Sequence, residues 1–68
     1  MIRVTLFHNT NSPQVIDVET NGKFAAVESA ASGYAIREIV LHDCGGSEWA
    51  GFFTLVNRSL ITVKVEKL

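Results

Sequence analysis

Apolar and polar residues alternate with the two-residue period of a strand over residues 60–66. Ile61, Val63 and Val65 fall on one side, and Leu60, Thr62, Lys64 and Glu66 on the other. That pattern predicts a half-buried strand. The run before it, residues 48–56, behaves differently: Trp49, Gly51, Phe53 and Leu55 occupy one face while Ala50, Phe52, Thr54 and Val56 occupy the other. Both faces of this strand are therefore apolar. A chain this short can shield one face of a sheet with its own helix, which leaves the second as a candidate contact surface. Trp49, Phe53, Leu55 and Phe52 are the candidate contact residues: with Phe52 under the helix the first three form the surface, the reverse assignment exchanges the two sets, and Trp49 and Phe53 are favoured.

The rest of the chain reads in the same way. Ile2, Val4 and Leu6 alternate with Arg3, Thr5 and Phe7, predicting a strand over residues 2–8. Asn9, Thr10, Asn11, Ser12 and Pro13 are turn formers and predict a hairpin loop. The β-branched Val15, Ile16 and Val18 predict a return strand over 14–19, short enough to sit at an edge. An alanine-rich stretch, residues 23–32, predicts the helix, with Asn21 as N-cap, Gly33 as its stop, and Phe24, Val27 and Ala31 on its buried face. A third strand is expected over 34–41, a glycine-containing connection over 42–47, and a final turn at Asn57, Arg58 and Ser59. The expected fold is one small α+β domain, residues 1–68. It has a mostly antiparallel sheet of about five strands with one helix packed on it, in the order β-β-α-β-β-β.

Composition sharpens the expectation of a contact surface. At 68 residues the chain is near the lower limit for a single unaided core, so contacts with a partner or a second copy would add needed burial. A mean hydropathy of +0.21 with 19% charged residues is apolar for a free monomer. The six basic and seven acidic residues are scattered. Without a basic stripe, the phosphate neutralisation that drives nucleic-acid affinity is missing. The longest uncharged runs, 29–36 and 49–57, are far below the roughly 20 residues that span a bilayer. Residues 1–7 lack the apolar core and cleavage site of a signal peptide, and the single cysteine, Cys44, fits a reducing compartment. Cytoplasmic synthesis is expected.

Reactive side chains concentrate at His42, Asp43, Cys44, Gly45, Gly46, Ser47 and Glu48. Zinc binding by His42 and Cys44 would need four ligands, and only His8 and carboxylates remain to complete the set. A Cys44 nucleophile with His42 or His8 as base and Asp43 as orienter would need groups from separate elements and a pocket. The Gly45, Gly46 and Ser47 amides could form an anion nest, but no phosphate-loop pattern surrounds them. Asp17 and Glu19 read as solvated edge charges rather than an acid–base pair. No catalytic, metal or cofactor residues are expected.

Tyr34, Trp49, Phe52 and Phe53, with Phe7 nearby, could form a stacking platform for single-stranded nucleic acid, assisted by Arg37, Arg58 and Lys64. Core packing and protein contact explain the same residues without interleaved cations. The expected function is non-enzymatic protein binding, as a structural or accessory subunit of a larger assembly or as a homo-oligomer. Phage particles are the setting that length and style suggest, by analogy alone. An inhibitor that binds a host protein is the alternative within that class. A nucleic-acid-binding sheet is the alternative outside it.

Overall fold

A computed structural model describes residues 1–8 and 12–68; the loop expected over 9–13 falls at 9–11 outside the described residues. Ile2–Phe7 (β1) and Leu60–Lys67 (β5) pair antiparallel at the centre of a five-stranded sheet. Gln14–Val18 (β2) flanks β1 and forms one edge. Glu48–Leu55 (β4) flanks β5, and Ile36–Gly45 (β3) forms the other edge, giving the order β2-β1-β5-β4-β3. All four pairings are antiparallel. The sequence order is β-β-α-β-β-β, as the alternation predicts.

The helix, Lys23–Ala30 (α1), is two residues shorter than its alanine content suggests. Asn21 does not cap it. Gly22 stands at the N-cap in an extended conformation without a side-chain cap, and its N–H donates to Thr20 Oγ1 at 3.4 Å. The helix closes at Ala31, whose N–H donates to the Val27 carbonyl, before Gly33 is reached. The buried face is also rotated from the expected one: Ala26, Val27 and Ala31 are buried, whereas Phe24 remains 45% exposed. Small side chains let the backbone approach the sheet, and the bulkier Phe24 is left at the margin.

The core lies on one face of the sheet. Ile2, Val4 and Leu6 from β1, Ile61, Val63 and Val65 from β5, and Phe53 and Leu55 from β4 point toward α1. This reverses the expected assignment of the β4 faces. The Trp49, Gly51, Phe53 and Leu55 set is turned to the helix side, and Phe52 is turned away. The register explains the choice, because Phe53 opposes Ile61 and Gly51 opposes Val63, so the purely apolar side of β5 carries the β4 side in line with it into the core.

α1 itself packs over β1 and β2. Over β4 the cover comes from single side chains: the Tyr34 ring lies 5.9 Å from Phe53, and Lys23 Nζ lies 5.1 Å from the Trp49 ring centre. Beyond them an open groove of about 590 Å3 separates α1 from β3, with Phe24, Tyr34, Ile36 and Ile39 along it.

Backbone detail completes the frame. β3 runs to Gly45, so the connection to β4 is only Gly46 and Ser47, both at positive φ (59° and 61°) as a two-residue hairpin turn of the primed type requires. The expected connection over 42–47 is therefore mostly strand. Between β4 and β5, the Arg58 N–H donates to the Leu55 carbonyl and the Leu55 N–H to the Ser59 carbonyl. Arg58 occupies a left-handed conformation at φ 71° where glycine is usual. Gly51 is required for a different reason: a Cβ there would stand 1.9 Å from the Val40 carbonyl oxygen on β3.

Candidate interaction surface

With α1 on one side, the other side of the sheet presents the alternate residues of every strand. Cross-strand register orders them into rows. Phe7 opposes Thr62, Thr62 opposes Phe52 and Phe52 opposes Val40, so an apolar row with one threonine crosses four strands from β1 to β3. Leu60 and Thr54 flank it on one side, with Leu60 54% exposed. The next row on the other side is Val15, Thr5, Lys64, Ala50 and His42. No helix or loop among the described residues packs on this face.

Apart from Glu38, which lies beside Thr54 at the apolar end, the charged residues of the face gather at one end. Arg3 Nε donates to Asp17 Oδ1 at 2.8 Å, and Arg3 Nη2 donates to Asp17 Oδ2 at 3.2 Å. That fork holds the Asp17 carboxyl below the usual aspartate range. Lys64 Nζ lies 2.9 Å from Glu66 Oε1 and 3.9 Å from Glu48 Oε1, and its ammonium is held above the ordinary lysine value chiefly by the Glu66 contact. Both cations are thus committed to neighbouring carboxylates. The face divides into an apolar end and a self-neutralised polar end.

Of the four residues expected at the contact surface, Phe53 is fully buried and Leu55 is 8% exposed, so both belong to the core. Trp49 is half-buried on the helix side beneath Lys23. Phe52 alone lies on the open face, half-buried at the centre of the apolar row. Its companions Phe7, Leu60 and Val40 were legible only through strand order, which decides which alternate sets become neighbours. The aromatic platform is not assembled: Tyr34 and Trp49 lie on the opposite side of the sheet from Phe52, and Phe53 is enclosed.

The reactive cluster is spread along the β3–β4 hairpin. Cys44 Sγ is exposed and contacts the His42 carbonyl oxygen at 3.6 Å, while Asp43 Oδ1 accepts the Gly45 N–H at 2.7 Å. Those are local strand-end bonds, with no imidazole at the sulfur. His8 stands edge-on to Tyr34 at 6.1 Å. Gly46 and Ser47 form the turn with Gly45 at the end of β3, and Asp17 is engaged by Arg3 while Glu19 lies beyond the end of β2. Among the described residues no three His, Cys, Asp or Glu side chains converge as metal ligands, and no helix is long and apolar enough to cross a membrane. No protein-family model, curated protein or solved structure matches the chain.

Proposed function

We propose that the chain is a non-enzymatic protein-interaction module that binds through the open sheet face, as a subunit of a homo-oligomer or of a larger assembly. The observation that carries this reading is the row Phe7, Thr62, Phe52 and Val40, which crosses four strands with none of the described residues packed on it. Apolar surface of this kind, bordered by polar residues, is the usual form of a protein contact. The charge at its polar end argues against nucleic acid, because Arg3 and Lys64 are outnumbered there by Asp17, Glu66 and Glu48 and are paired with them.

The test compares adjacent residues on opposite faces. Light scattering across a concentration series is expected to give a wild-type mass above 7.5 kDa, reduced to the monomer by Phe52→Asp in a protein that stays folded. Phe53→Asp is expected to unfold the chain. A folded Phe52→Asp variant that associates as strongly as wild type would remove the open face from the contact.

A further inference from the structure

The two edges of the sheet differ in what they offer. β2 has five residues and follows Pro13 closely, and its single charge, Asp17, is already engaged by Arg3. β3 has ten residues, and its outer side leaves backbone N–H and C=O groups without a neighbouring strand. Register irregularities at Arg37 and Cys44 bracket a regular stretch from Glu38 to Asp43. Within it Ile39, Val40 and Leu41 are consecutive and only half-buried, although they sit at the sheet's rim.

We infer that β3 is the contact for a second copy of this chain, pairing antiparallel with its own equivalent about Val40 and joining two five-stranded sheets into one. The inference rests on the reading of the chain as an interaction module, but not on the open face as the contact. Its argument is self-complementarity. With Val40 opposite Val40 of the second copy, Ile39 meets Leu41 on the helix side and Glu38 meets His42 on the open side. One step further out, Arg37 comes opposite Asp43. Two-fold symmetry repeats each pairing, so the same strand supplies both halves of an apolar centre and of an oppositely charged margin. A strand paired with itself in parallel would instead set Arg37 against Arg37 and Asp43 against Asp43. Arg37, Glu38, His42 and Asp43 are all exposed in the single chain and free of the ion pairs that engage Arg3 and Lys64. The open groove beside Ile36 and Ile39 would lie against the Leu41 side of the second copy.

Charge exchange tests the register in the full chain. In Arg37→Glu alone, the new acid opposes Asp43; in Asp43→Arg alone, the new cation opposes Arg37. Mixed, the two variants restore opposite charge at both margins. The expected result is a wild-type mass that rises toward twice 7.5 kDa with concentration, about tenfold or greater weakening in either variant alone, and a heterodimer in native mass spectrometry of the mixture. Because Asp43 also accepts the Gly45 N–H, Glu38→Arg and His42→Glu are run beside the first pair, with circular dichroism confirming that each variant is folded. Variants that self-associate like wild type, or a mixture that gives no heterodimer, would overturn the inference. If Phe52→Asp dissociates the wild-type oligomer while the β3 exchanges do not, the edge pairing falls and the open-face reading survives. A wild-type chain that stays at 7.5 kDa throughout overturns the pairing with a second copy, leaving the open face to be tested against other proteins.

Discussion

Phe52 and Phe53 are adjacent in the chain and identical in chemistry, yet they belong to two different surfaces. Phe53 is fully enclosed by β5, Ile39 and Tyr34, whereas Phe52 lies half-exposed between Thr62 and Val40 on a face that none of the described residues covers. Strand geometry turns one residue of sequence into the difference between core and open face. Truncation should expose the difference most clearly. Phe53→Ala is expected to cost about 3–5 kcal/mol, the range for emptying an aromatic site in a core. Phe52→Ala removes only cross-strand pairs and should cost about 0.2–1 kcal/mol. Urea unfolding of the two variants checks this, and equal losses would mean that the two faces are not distinct in solution.

The next largest effect should come from Gly51, which ties the two faces to one edge. An added methyl would collide with the Val40 carbonyl oxygen at 1.9 Å, against backbone that cannot swing aside. Gly51→Ala is therefore expected to cost about 1–3 kcal/mol or more by forcing β3 from β4. Hydrogen exchange should show the loss of protection first at β3. Unchanged stability would mean that the close approach is not kept in solution.

Much of this arrangement was legible in the sequence. The alternation of β1 and β5 marks one apolar side in each strand, and the order of elements follows from the turn residues between them. The faces of β4 were not legible, because Trp49, Phe53 and Phe52 make both sides apolar and only the register against Ile61 and Val63 chooses between them. The helix face was misjudged for a related reason. Periodicity favours Phe24, but close packing on β1 and β2 selects Ala26, and Phe24 then lies by the groove. Gly51 showed no local signal at all, since its requirement comes from a carbonyl on another strand. A second apolar sheet face was legible in the pattern, while two of the residues expected on it, Phe53 and Leu55, are core.

Arg58 belongs to neither face and supplies a control on the comparison. Its left-handed backbone, φ 71°, costs an L-residue about 1 kcal/mol relative to glycine. Arg58→Gly should therefore raise stability by about 0.5–1 kcal/mol, with a Tm increase of several degrees. It should leave the solution mass unchanged. A mass that shifts with Arg58→Gly would show that association tracks general stability rather than a particular surface.

The smallest effect is expected at the polar end of the open face. Asp17 is held below the ordinary aspartate range chiefly by its hydrogen bond from Arg3, against an opposing desolvation, with the guanidinium charge as the smaller further cause. A carboxyl with a lowered folded value stabilises the fold fully above the unfolded aspartate value, and that contribution is lost as pH falls through the folded one. Both partners are substantially exposed, so salt should screen the pair and the gain at neutral pH should be slight. Asp17→Asn is accordingly expected to lower Tm less than any core substitution, with the difference from wild type shrinking at high salt and vanishing in acid. If the two proteins instead keep a constant Tm difference from neutral pH down through the acid range, the Arg3–Asp17 pair contributes nothing through its charge. The polar end of the open face would then differ from the apolar end in solubility alone.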